Sequence, residues 1–349
     1  MSKASKIKSF DPNSPANANA QLYGLPFTVG EAEIVIIPVP WEVTTSYGGG
    51  TSRGPEAIFD ASFQVDLFHP EFPELWKRGI AMDEMPKPLL AQSNALKKEA
   101  GRIIDLLSAG GTKKQKDKAA KALKHINREC EVMNEWVEER TAELLDTGKI
   151  VGLLGGDHST PLGFYRALAE RFKSFGILHI DAHMDLRQAY EGFTCSHASI
   201  MYNALALKPI QKIVQVGIRD YCAQENDVVK KEKGRVSVYR SAELRRQQFE
   251  GSTWKKQCDR IIEELPHNVH ISFDIDGLDP TLCPHTGTPV PGGLAFEEAT
   301  YLLSRLAQSG KRIIGFDLVE VSPGPKDEWD ANVGARMLWH LCGVLAGAR

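Results

Sequence analysis

The sequence lacks the features that mark several common classes of protein. It has no run of roughly 18 to 20 apolar residues, the length that a membrane-spanning helix needs. The segment from Met1 to Phe10 is polar and basic with no apolar stretch behind it, so we do not interpret it as a secretory signal. The six cysteines are scattered without a C-x-x-C pair, which argues against a zinc ribbon or a disulfide framework. We therefore expect a protein of a reducing compartment, the cytoplasm.

An excess of basic residues is also absent. The 349 residues include 42 Lys and Arg against 45 Asp and Glu, which gives a net charge of -3. No basic stretch is interleaved with aromatic residues, so nothing favours nucleic acid as a partner. The sequence therefore favours a small-molecule partner over nucleic acid or a membrane.

Apolar runs typical of strands alternate with helical patterns along most of the chain. Because parallel strands need crossover connections, this alternation predicts an α/β fold, a three-layer α/β/α sandwich around a mostly parallel sheet. We predict an N-terminal arm at residues 1–30 and a single domain at residues 31–349. A helical insertion at about residues 93–147 interrupts the domain. The seven predicted strands lie at 33–39, 150–154, 176–180, 212–217, 235–239, 268–274 and 312–318.

The predicted insertion is rich in lysine, alanine and glutamate. Its apolar residues recur at spacings of four and three, which predicts an amphipathic helix that packs through one seam. The lysines between Lys113 and Lys121 are typical of a solvated helix face. The predicted seam consists of Ala119, Leu123, Ile126, Cys130, Met133 and Val137.

Potential metal ligands follow three of the predicted strands. Asp181, His183 and Asp185 come directly after one strand at every second position, so their side chains leave it on one side. Two further groups stand at the ends of other strands, where open α/β sheets place their ligands. We expect all three groups to converge at this edge of the sheet. The candidates are His158, Asp181, His183, Asp185, Asp274 and Asp276.

This set of four carboxylates and two imidazoles predicts a site for divalent cations. Four carboxylates in a partly buried site cannot all stay ionised unless cations offset their charge. Six ligands are too many for one tetrahedral zinc, and the oxygen-rich set favours Mn²⁺, with Ni²⁺ or Fe²⁺ also compatible with imidazole. Two ions that share bridging carboxylates, about 3.5 to 4 Å apart, are the natural interpretation.

The three motifs resemble those of the ureohydrolase (arginase/agmatinase) family in order and separation. They are Gly155-Gly-Asp-His-Ser159, Asp181-Ala-His-Met-Asp185 and Ser272-Phe-Asp-Ile-Asp-Gly-Leu-Asp-Pro280. The resemblance extends from about Ile34 to the C-terminus and excludes the lysine-rich insertion. It implies an arginase-like eight-stranded parallel sheet, a dinuclear manganese centre and a homotrimer or homohexamer, in which a related subunit could also take part. It also implies hydrolysis of a guanidino carbon–nitrogen bond with release of urea.

Carried over residue by residue, the resemblance assigns each motif residue a role. It implies that His158 and Asp185 bind one metal, that His183 and Asp276 bind the other, and that Asp181 and Asp274 bridge them. Asp185 would also accept a proton during catalysis. His197 would supply a proton to the leaving amine, although family members more often have glycine where Ala198 stands. Glu320, in Asp317-Leu-Val-Glu-Val-Ser-Pro323, would pair with the substrate guanidinium.

The substrate remains open at this stage. Arg187 is expected to bind substrate. An arginine at this position resembles the pattern of formiminoglutamases, since it attracts a substrate with an anionic tail. In contrast, the early loop from Thr44 to Ile58 resembles the loop of agmatinases more than that of arginases. The pattern from Thr194 to Ala198 is similar to nickel-dependent hydrolases of guanidine or small substituted guanidines. A zinc amide deacetylase, which would need a His-His pair, and a non-catalytic homologue are remote alternatives.

Overall fold

The computed structural model describes residues 2–17, 20–110 and 112–347. Outside these described residues lie Met1, Ala18 and Asn19 of the predicted arm, Gly111 of the predicted insertion, and Ala348 and Arg349 of the predicted domain. Within the described ranges, no helix has both the length and the apolar content needed to cross a bilayer.

Eight strands form one sheet at the centre of the described chain. They are β1 (Ile34–Val39), β2 (Ile80–Met82), β3 (Ile150–Gly155), β4 (Phe175–Ile180), β5 (Ile210–Ile218), β6 (Val236–Arg240), β7 (Asn268–Asp274) and β8 (Arg312–Val319). Their order across the sheet is β2-β1-β3-β8-β7-β4-β5-β6, and every neighbouring pair is parallel. The predicted parallel eight-stranded sheet is therefore confirmed.

Helices cover the sheet. Every residue of β1, β3 and β4 is buried, and since successive side chains point to opposite faces, both faces must be covered. The architecture is thus the predicted three-layer sandwich. The helices are α1 (Lys3–Ser9), α2 (Gly54–Ser62), α3 (Lys87–Ser108), α4 (Lys113–Asp146), α5 (Leu162–Arg171), α6 (Ile200–Leu205), α7 (Ala223–Lys231), α8 (Ser241–Phe249), α9 (Trp254–Glu263), α10 (Phe296–Ala307) and α11 (Trp329–Gly347). Short 3₁₀ turns lie at Leu22–Gly24, Thr51–Arg53, Leu75–Arg78, His197–Ser199 and Ile275–Gly277.

The structure adds elements that the sequence pattern does not indicate. The strand β2 has only three residues, too few for an alternating pattern to be recognised. The helices α6, α7 and α8 have six to nine residues, and none shows enough turns for a clear apolar stripe. In the insertion, α3 begins at Lys87, before the predicted start near residue 93.

The segment predicted as an N-terminal arm is tied to the rest of the chain. The ammonium groups of Lys3 and Lys6 in α1 pair with Glu33 at 3.0 Å and Glu31 at 2.6 Å. Tyr23 is buried, and its hydroxyl donates a hydrogen bond to the carbonyl of Ala335 in α11 at 2.8 Å. The predicted arm therefore contacts the domain, and its aromatic and apolar residues after Ala20 pack into the core.

The predicted insertion is a hairpin of the two long helices α3 and α4. A capping box starts α4, since the side chain of Thr112 accepts a hydrogen bond from the Gln115 N–H and the Gln115 side chain accepts one from Thr112. The predicted seam is buried at Ile126, Cys130 and Val137, so the periodicity identified the packing face. We name this pair of helices the α3–α4 hairpin.

The four central strands β3, β8, β7 and β4 carry the candidate functional residues at one edge of the sheet. The chain leaves β3 through Gly156, whose N–H donates to the Val39 carbonyl at 2.8 Å. A Cβ on Gly156 would lie 2.0 Å from the Trp41 carbonyl oxygen, so only glycine allows this approach. Asp157 and His158, the next two residues, are thereby directed over the C-terminal end of the parallel strands.

Candidate metal centre

His158, after β3, lies at the centre of the first group of candidate ligands. Its Nδ1 lies 3.1 Å from Asp181 Oδ2, 3.0 Å from Asp185 Oδ2 and 3.2 Å from Asp274 Oδ2. This buried nitrogen makes no hydrogen bond to any residue that the structure describes. One ring nitrogen and three carboxylate oxygens from three strands therefore converge, as the sequence predicted.

A second group lies beside the first and shares Asp181 with it. His183 Nδ1 lies 3.0 Å from Asp276 Oδ2 and 3.4 Å from Asp181 Oδ1. The two oxygens of the Asp181 carboxylate thus face different histidines. All six residues predicted as ligands are brought together at the ends of three strands.

The spacing of these atoms fits divalent ions. Two donor atoms that each lie about 2.1 Å from one ion, at right angles, are about 3.0 Å apart. The separations of 3.0 to 3.2 Å around His158 Nδ1 match this value. An imidazole nitrogen without a hydrogen bond, surrounded by carboxylate oxygens, is also the chemistry of a metal ligand set. The residues present therefore fit divalent metal ions.

The pKa shifts of these groups show that several carboxylates lie close together in a buried site. Burial raises the pKa of Asp274 well above its usual value, and the neighbouring Asp276 and Asp181 raise it further. Burial alone would lower the pKa of His158, but the carboxylates of Asp181, Asp185 and Asp274 outweigh it and raise this pKa well above normal. The cluster therefore attracts positive charge, supplied by protons or by metal ions.

His179, within β4, lies behind Asp181 and is fully buried. Its Nε2 lies 2.7 Å from Asp181 Oδ2, and its Nδ1 lies 2.9 Å from Gln215 Nε2. Gln215 also donates to the Met184 carbonyl at 2.6 Å, which fixes the orientation of its amide. Because the amide donates to Nδ1, the ring proton of His179 lies on Nε2 and points at Asp181. His179 therefore orients a candidate ligand and has no free nitrogen of its own.

A buried polar network lies behind His158 as well, and sequence reasoning missed it. His158 Nε2 lies 2.9 Å from Ser272 Oγ, which in turn lies 2.9 Å from Asp317 Oδ1. The hydroxyl of Tyr165 and Nε2 of His270 also contact Asp317, at 3.1 and 2.7 Å. The available signal was the presence of His270, Ser272 and Asp317 inside otherwise apolar strands. Such networks fix the ring orientation of a metal-ligating histidine.

A cavity of about 160 Å³ opens beside the candidate metal centre. Arg187, predicted to bind substrate, lines it together with His183 and Asp185. The guanidinium of Arg187 lies 4.9 Å from the centroid of the Tyr190 ring, and its Nε is 3.7 Å from Glu225 Oε2. Glu225 was not identified from the sequence. The remaining lining residues are Ser46, Tyr47, Tyr190, His197, Ala198, Asp220, Tyr221 and Thr288.

His197 lies in the wall of this cavity, as predicted for a residue that reaches the substrate. Its Nδ1 is buried and lacks a hydrogen bond to any described residue, and its ring contacts the Tyr190 ring edge-on at 6.0 Å. Burial lowers the pKa of His197 to about 4. The imidazole is therefore neutral at physiological pH, with one proton to give and one lone pair to accept.

Glu320 follows β8 and is buried beside the first ligand group. Its Oε1 accepts a hydrogen bond from the His158 N–H at 2.8 Å. Burial raises its pKa well above the usual value, and Asp274 and Asp157 raise it further. A Cβ on Gly287, next to the cavity residue Thr288, would lie 3.5 Å from Glu320 Oε2. The carboxyl group thus contacts the candidate ligand His158 and lies close to the segment that precedes Thr288, but Glu320 itself does not line the cavity.

Two of the predicted catalytic residues have left-handed backbones. Asp185 has a φ of 54° and Glu320 a φ of 63°, which is uncommon for residues other than glycine. The Asp185 carbonyl accepts hydrogen bonds from Met201 and Tyr202, both at 3.1 Å, and the Glu320 N–H donates to the Gly156 carbonyl at 2.8 Å. Such strained conformations persist only where several contacts hold them, and they cluster at functional sites.

Comparison with known proteins identifies the family. The sequence profile of the arginase family matches residues 32–343. The chain belongs to the arginase family. A similar arginase-family protein is the N(1)-aminopropylagmatine ureohydrolase of Thermus thermophilus, which is 31% identical over 321 residues that cover 90% of each chain. The agmatinase of Bacillus anthracis is 28% identical over 293 residues that cover 84% of each chain.

The fold agrees with solved structures of arginase-family proteins. The crystal structure of the agmatine ureohydrolase of Thermoplasma volcanium matches with a TM-score of 0.72 and 24% sequence identity, over 98% of each chain. This likeness confirms the predicted arginase-like fold. Together with the arginase-family membership, the cluster of histidines and aspartates identifies a site suited to divalent metal ions.

Proposed function

We propose that this arginase-family protein is a metal-dependent hydrolase that cleaves a guanidino carbon–nitrogen bond and releases urea. The observation that carries the proposal is the Asp181 carboxylate, whose two oxygens face the two histidines of adjoining ligand groups. A shared carboxylate between two groups of donors is the arrangement that a pair of metal ions needs. The names of the two relatives, an agmatinase and an aminopropylagmatine ureohydrolase, support a guanidino substrate.

The six candidate ligands divide between two ions in this proposal. His158 and Asp185 would hold one ion, His183 and Asp276 would hold the other, and Asp181 and Asp274 would serve both. The short contacts of His158 with Asp181, Asp185 and Asp274 support the first assignment. The contact of 3.0 Å between His183 and Asp276 supports the second.

The residues in and near the cavity have different roles in the proposed reaction. When bound, the ions supply a water of lowered pKa as the nucleophile. Glu320 binds the planar guanidinium, because a carboxylate offers two acceptors in the geometry that this cation prefers. Asp185 faces the cavity and accepts a proton there. His197, neutral and without a hydrogen bond at Nδ1, would relay a proton: one ring nitrogen accepts a proton while the other gives its proton to the leaving amine.

We further propose an agmatine-like substrate with a cationic tail. Arg187 alone would repel such a tail, but its Nε lies 3.7 Å from the buried Glu225 carboxylate, which offsets its charge. Asp220 adds a further carboxylate to the cavity wall. The relatives are named for agmatine and aminopropylagmatine, and the tails of both compounds end in amines. The names of these relatives do not favour a zinc amide deacetylase or a non-catalytic homologue.

The native ion in this proposal is Mn²⁺, because four of the six ligands are carboxylates. Ni²⁺ is the alternative to be compared in the assay. We also propose a homotrimer or homohexamer, on the family resemblance, and a cytoplasmic location, since the structure leaves all six cysteines unpaired. Sedimentation analysis of the purified chain tests the oligomer.

A substrate panel tests the proposed function. The protein is loaded with Mn²⁺ or Ni²⁺ and incubated with agmatine, aminopropylagmatine, arginine, guanidinobutyrate, formiminoglutamate and guanidine, and urea and formamide are assayed. We expect the highest kcat/KM for agmatine or aminopropylagmatine, with urea as product. Failure to release urea from any of them with either metal contradicts the proposal.

A further inference from the structure

The α3–α4 hairpin, whose sequence pattern indicates no role beyond packing, contacts the loop that carries His197. Asn127, on α4, directs its side-chain amide at this loop. Its Nδ2 donates to the Gly192 carbonyl at 3.2 Å, and its Oδ1 accepts a hydrogen bond from the Thr194 N–H at 3.1 Å. One amide therefore satisfies a backbone acceptor and a backbone donor on the two sides of Phe193.

The loop segment that Asn127 holds is a tight turn. Tyr190 and Phe193 exchange two backbone hydrogen bonds, at 3.1 and 2.8 Å, around Glu191 and Gly192. Both central residues have left-handed backbones, with φ of 53° and 88°. Because Glu191 is not glycine, this conformation is strained and requires contacts from elsewhere to persist.

Leu123, one helical turn before Asn127, supports the same turn from the side. A Cβ on Gly192 would lie 2.6 Å from Leu123 Cδ2, so the helix and the turn are in close contact. Residues four apart lie on one face of a helix. Leu123 and Asn127 thus form one face of α4 that covers the turn at residues 190–193.

The turn presents Tyr190 to the reaction site. The Tyr190 ring contacts His197 edge-on at 6.0 Å and lies 4.9 Å below the guanidinium of Arg187. His197 Nδ1 has no hydrogen bond to a described residue, so the contact with the Tyr190 ring helps to hold the imidazole in place. A shift of the turn therefore moves two residues of the cavity wall together.

We propose that Asn127 is a positioning residue, which acts through the turn and Tyr190 to hold His197 and Arg187 in the cavity wall. The inference rests on the proposed hydrolase function for its effect on turnover, and on geometry alone for its effect on the loop. It gives the α3–α4 hairpin a role in preorganising the site.

The test combines hydrogen exchange with a double-mutant cycle. Asn127→Ala removes both hydrogen bonds, and because alanine is the best helix former, α4 is retained. We expect faster amide exchange in residues 188–198 and unchanged metal content. We also expect kcat/KM to fall about 10-fold, but by less than about 2-fold when Tyr190→Ala is already present, because interacting residues are not additive. Lys124→Ala, an exposed lysine of α4, is the matched control and should change neither quantity.

Gly192→Ala approaches the same contact from the loop and should give the same pattern. Unchanged exchange at residues 188–198 in Asn127→Ala overturns the inference, whether or not the protein hydrolyses any substrate. Faster exchange with a loss of kcat/KM that is the same with and without Tyr190→Ala also overturns it. Absence of turnover by the unmodified protein contradicts the proposed function instead, and the exchange result still decides the contact.

Discussion

His179 Nε2 lies 2.7 Å from Asp181 Oδ2, the carboxylate oxygen that also faces His158. Because Gln215 donates to the other ring nitrogen, His179 presents its proton to Asp181 and fixes the direction of that carboxylate. The candidate metal centre is therefore shaped by residues outside the six proposed ligands.

His179→Ala should weaken metal binding. Loss of the N–H that orients Asp181 leaves the proposed bridging carboxylate free to rotate, and loss of such a partner typically costs 10- to 100-fold in metal affinity, which is about the decrease we expect. Competition with a chelator of known affinity measures it. His125→Ala, at an exposed position on α4, is the control. Equal metal affinities for the two variants would show that His179 does not support metal binding.

Glu320→Gln should reduce turnover without removing metal. The amide oxygen can still accept the His158 N–H, but the side chain can no longer ionise to pair with the guanidinium cation, which favours the carboxylate form. Charge-assisted hydrogen bonds contribute about 1.5 to 3 kcal/mol, so kcat/KM should fall roughly 10- to 150-fold. Steady-state kinetics and elemental analysis check both statements. Glu328→Gln, at an exposed position, serves as control. Loss of metal in Glu320→Gln would show instead that Glu320 supports the ligands.

Lys97→Met should destabilise the glycine-rich loop beside the cavity. Lys97, on α3, pairs with the buried Glu42 carboxylate, which also accepts hydrogen bonds from the Gly50 N–H at 2.9 Å and the Ser52 N–H at 3.1 Å. Removing the cation leaves a buried charge without its ion pair. Since Lys97 is one-third exposed, we expect a loss of about 1 to 3 kcal/mol in the free energy of unfolding, below the range for fully buried pairs.

Urea denaturation measures this loss, with the neighbouring exposed Lys98→Met as the control. The double variant Glu42→Gln with Lys97→Met should be less destabilised than the sum of its two single variants, because the two residues share one interaction. Strict additivity would mean that the ion pair contributes nothing to the stability of the loop.

His340, in α11, should make stability depend on pH. Burial lowers its pKa to about 4, whereas an unfolded histidine titrates near pH 6.5. Its contribution is therefore fully present above about pH 6.5 and is lost as the pH falls toward 4, because the unfolded chain takes up the proton first. The loss amounts to roughly 3 kcal/mol across this window.

Urea denaturation of metal-free protein between pH 7 and pH 4 tests this effect without a contribution from metal release, and comparison with a His340 variant separates it from His197, whose pKa is also about 4. His340→Gln should show a shallower pH dependence than the unmodified chain, by about 1.4 kcal/mol per pH unit at most. The exposed His125→Gln should not differ from the parent. The same pH dependence of the free energy of unfolding in His340→Gln and the unmodified chain would show that His340 is not its source.

The sequence was sufficient for the family, the sheet and the meeting of the six ligands. Each ligand follows an apolar run, and parallel strands bring their ends to one edge, so the location of His158 and Asp274 follows from local pattern. The family and the fold are confirmed by the profile match and by the sheet. The role of each residue remains a proposal.

The supporting contacts lay beyond sequence reasoning for a physical reason. Gln215 and Asn127 act through single side-chain amides that reach backbone or ring atoms of distant segments. No spacing in the sequence encodes such a pair. The buried core after Ala20 and the three-residue strand β2 were missed because short apolar stretches have no readable period.

Metal analysis with anomalous diffraction from crystals of the Mn²⁺-loaded protein tests the central claim most directly. We predict two ions per chain, both in contact with Asp181 and Asp274, one of them beside His158 and the other beside His183. Asp181→Asn should retain the fold, lose most of the metal and abolish urea release. A single ion per chain, or full turnover by Asp181→Asn, would contradict the account.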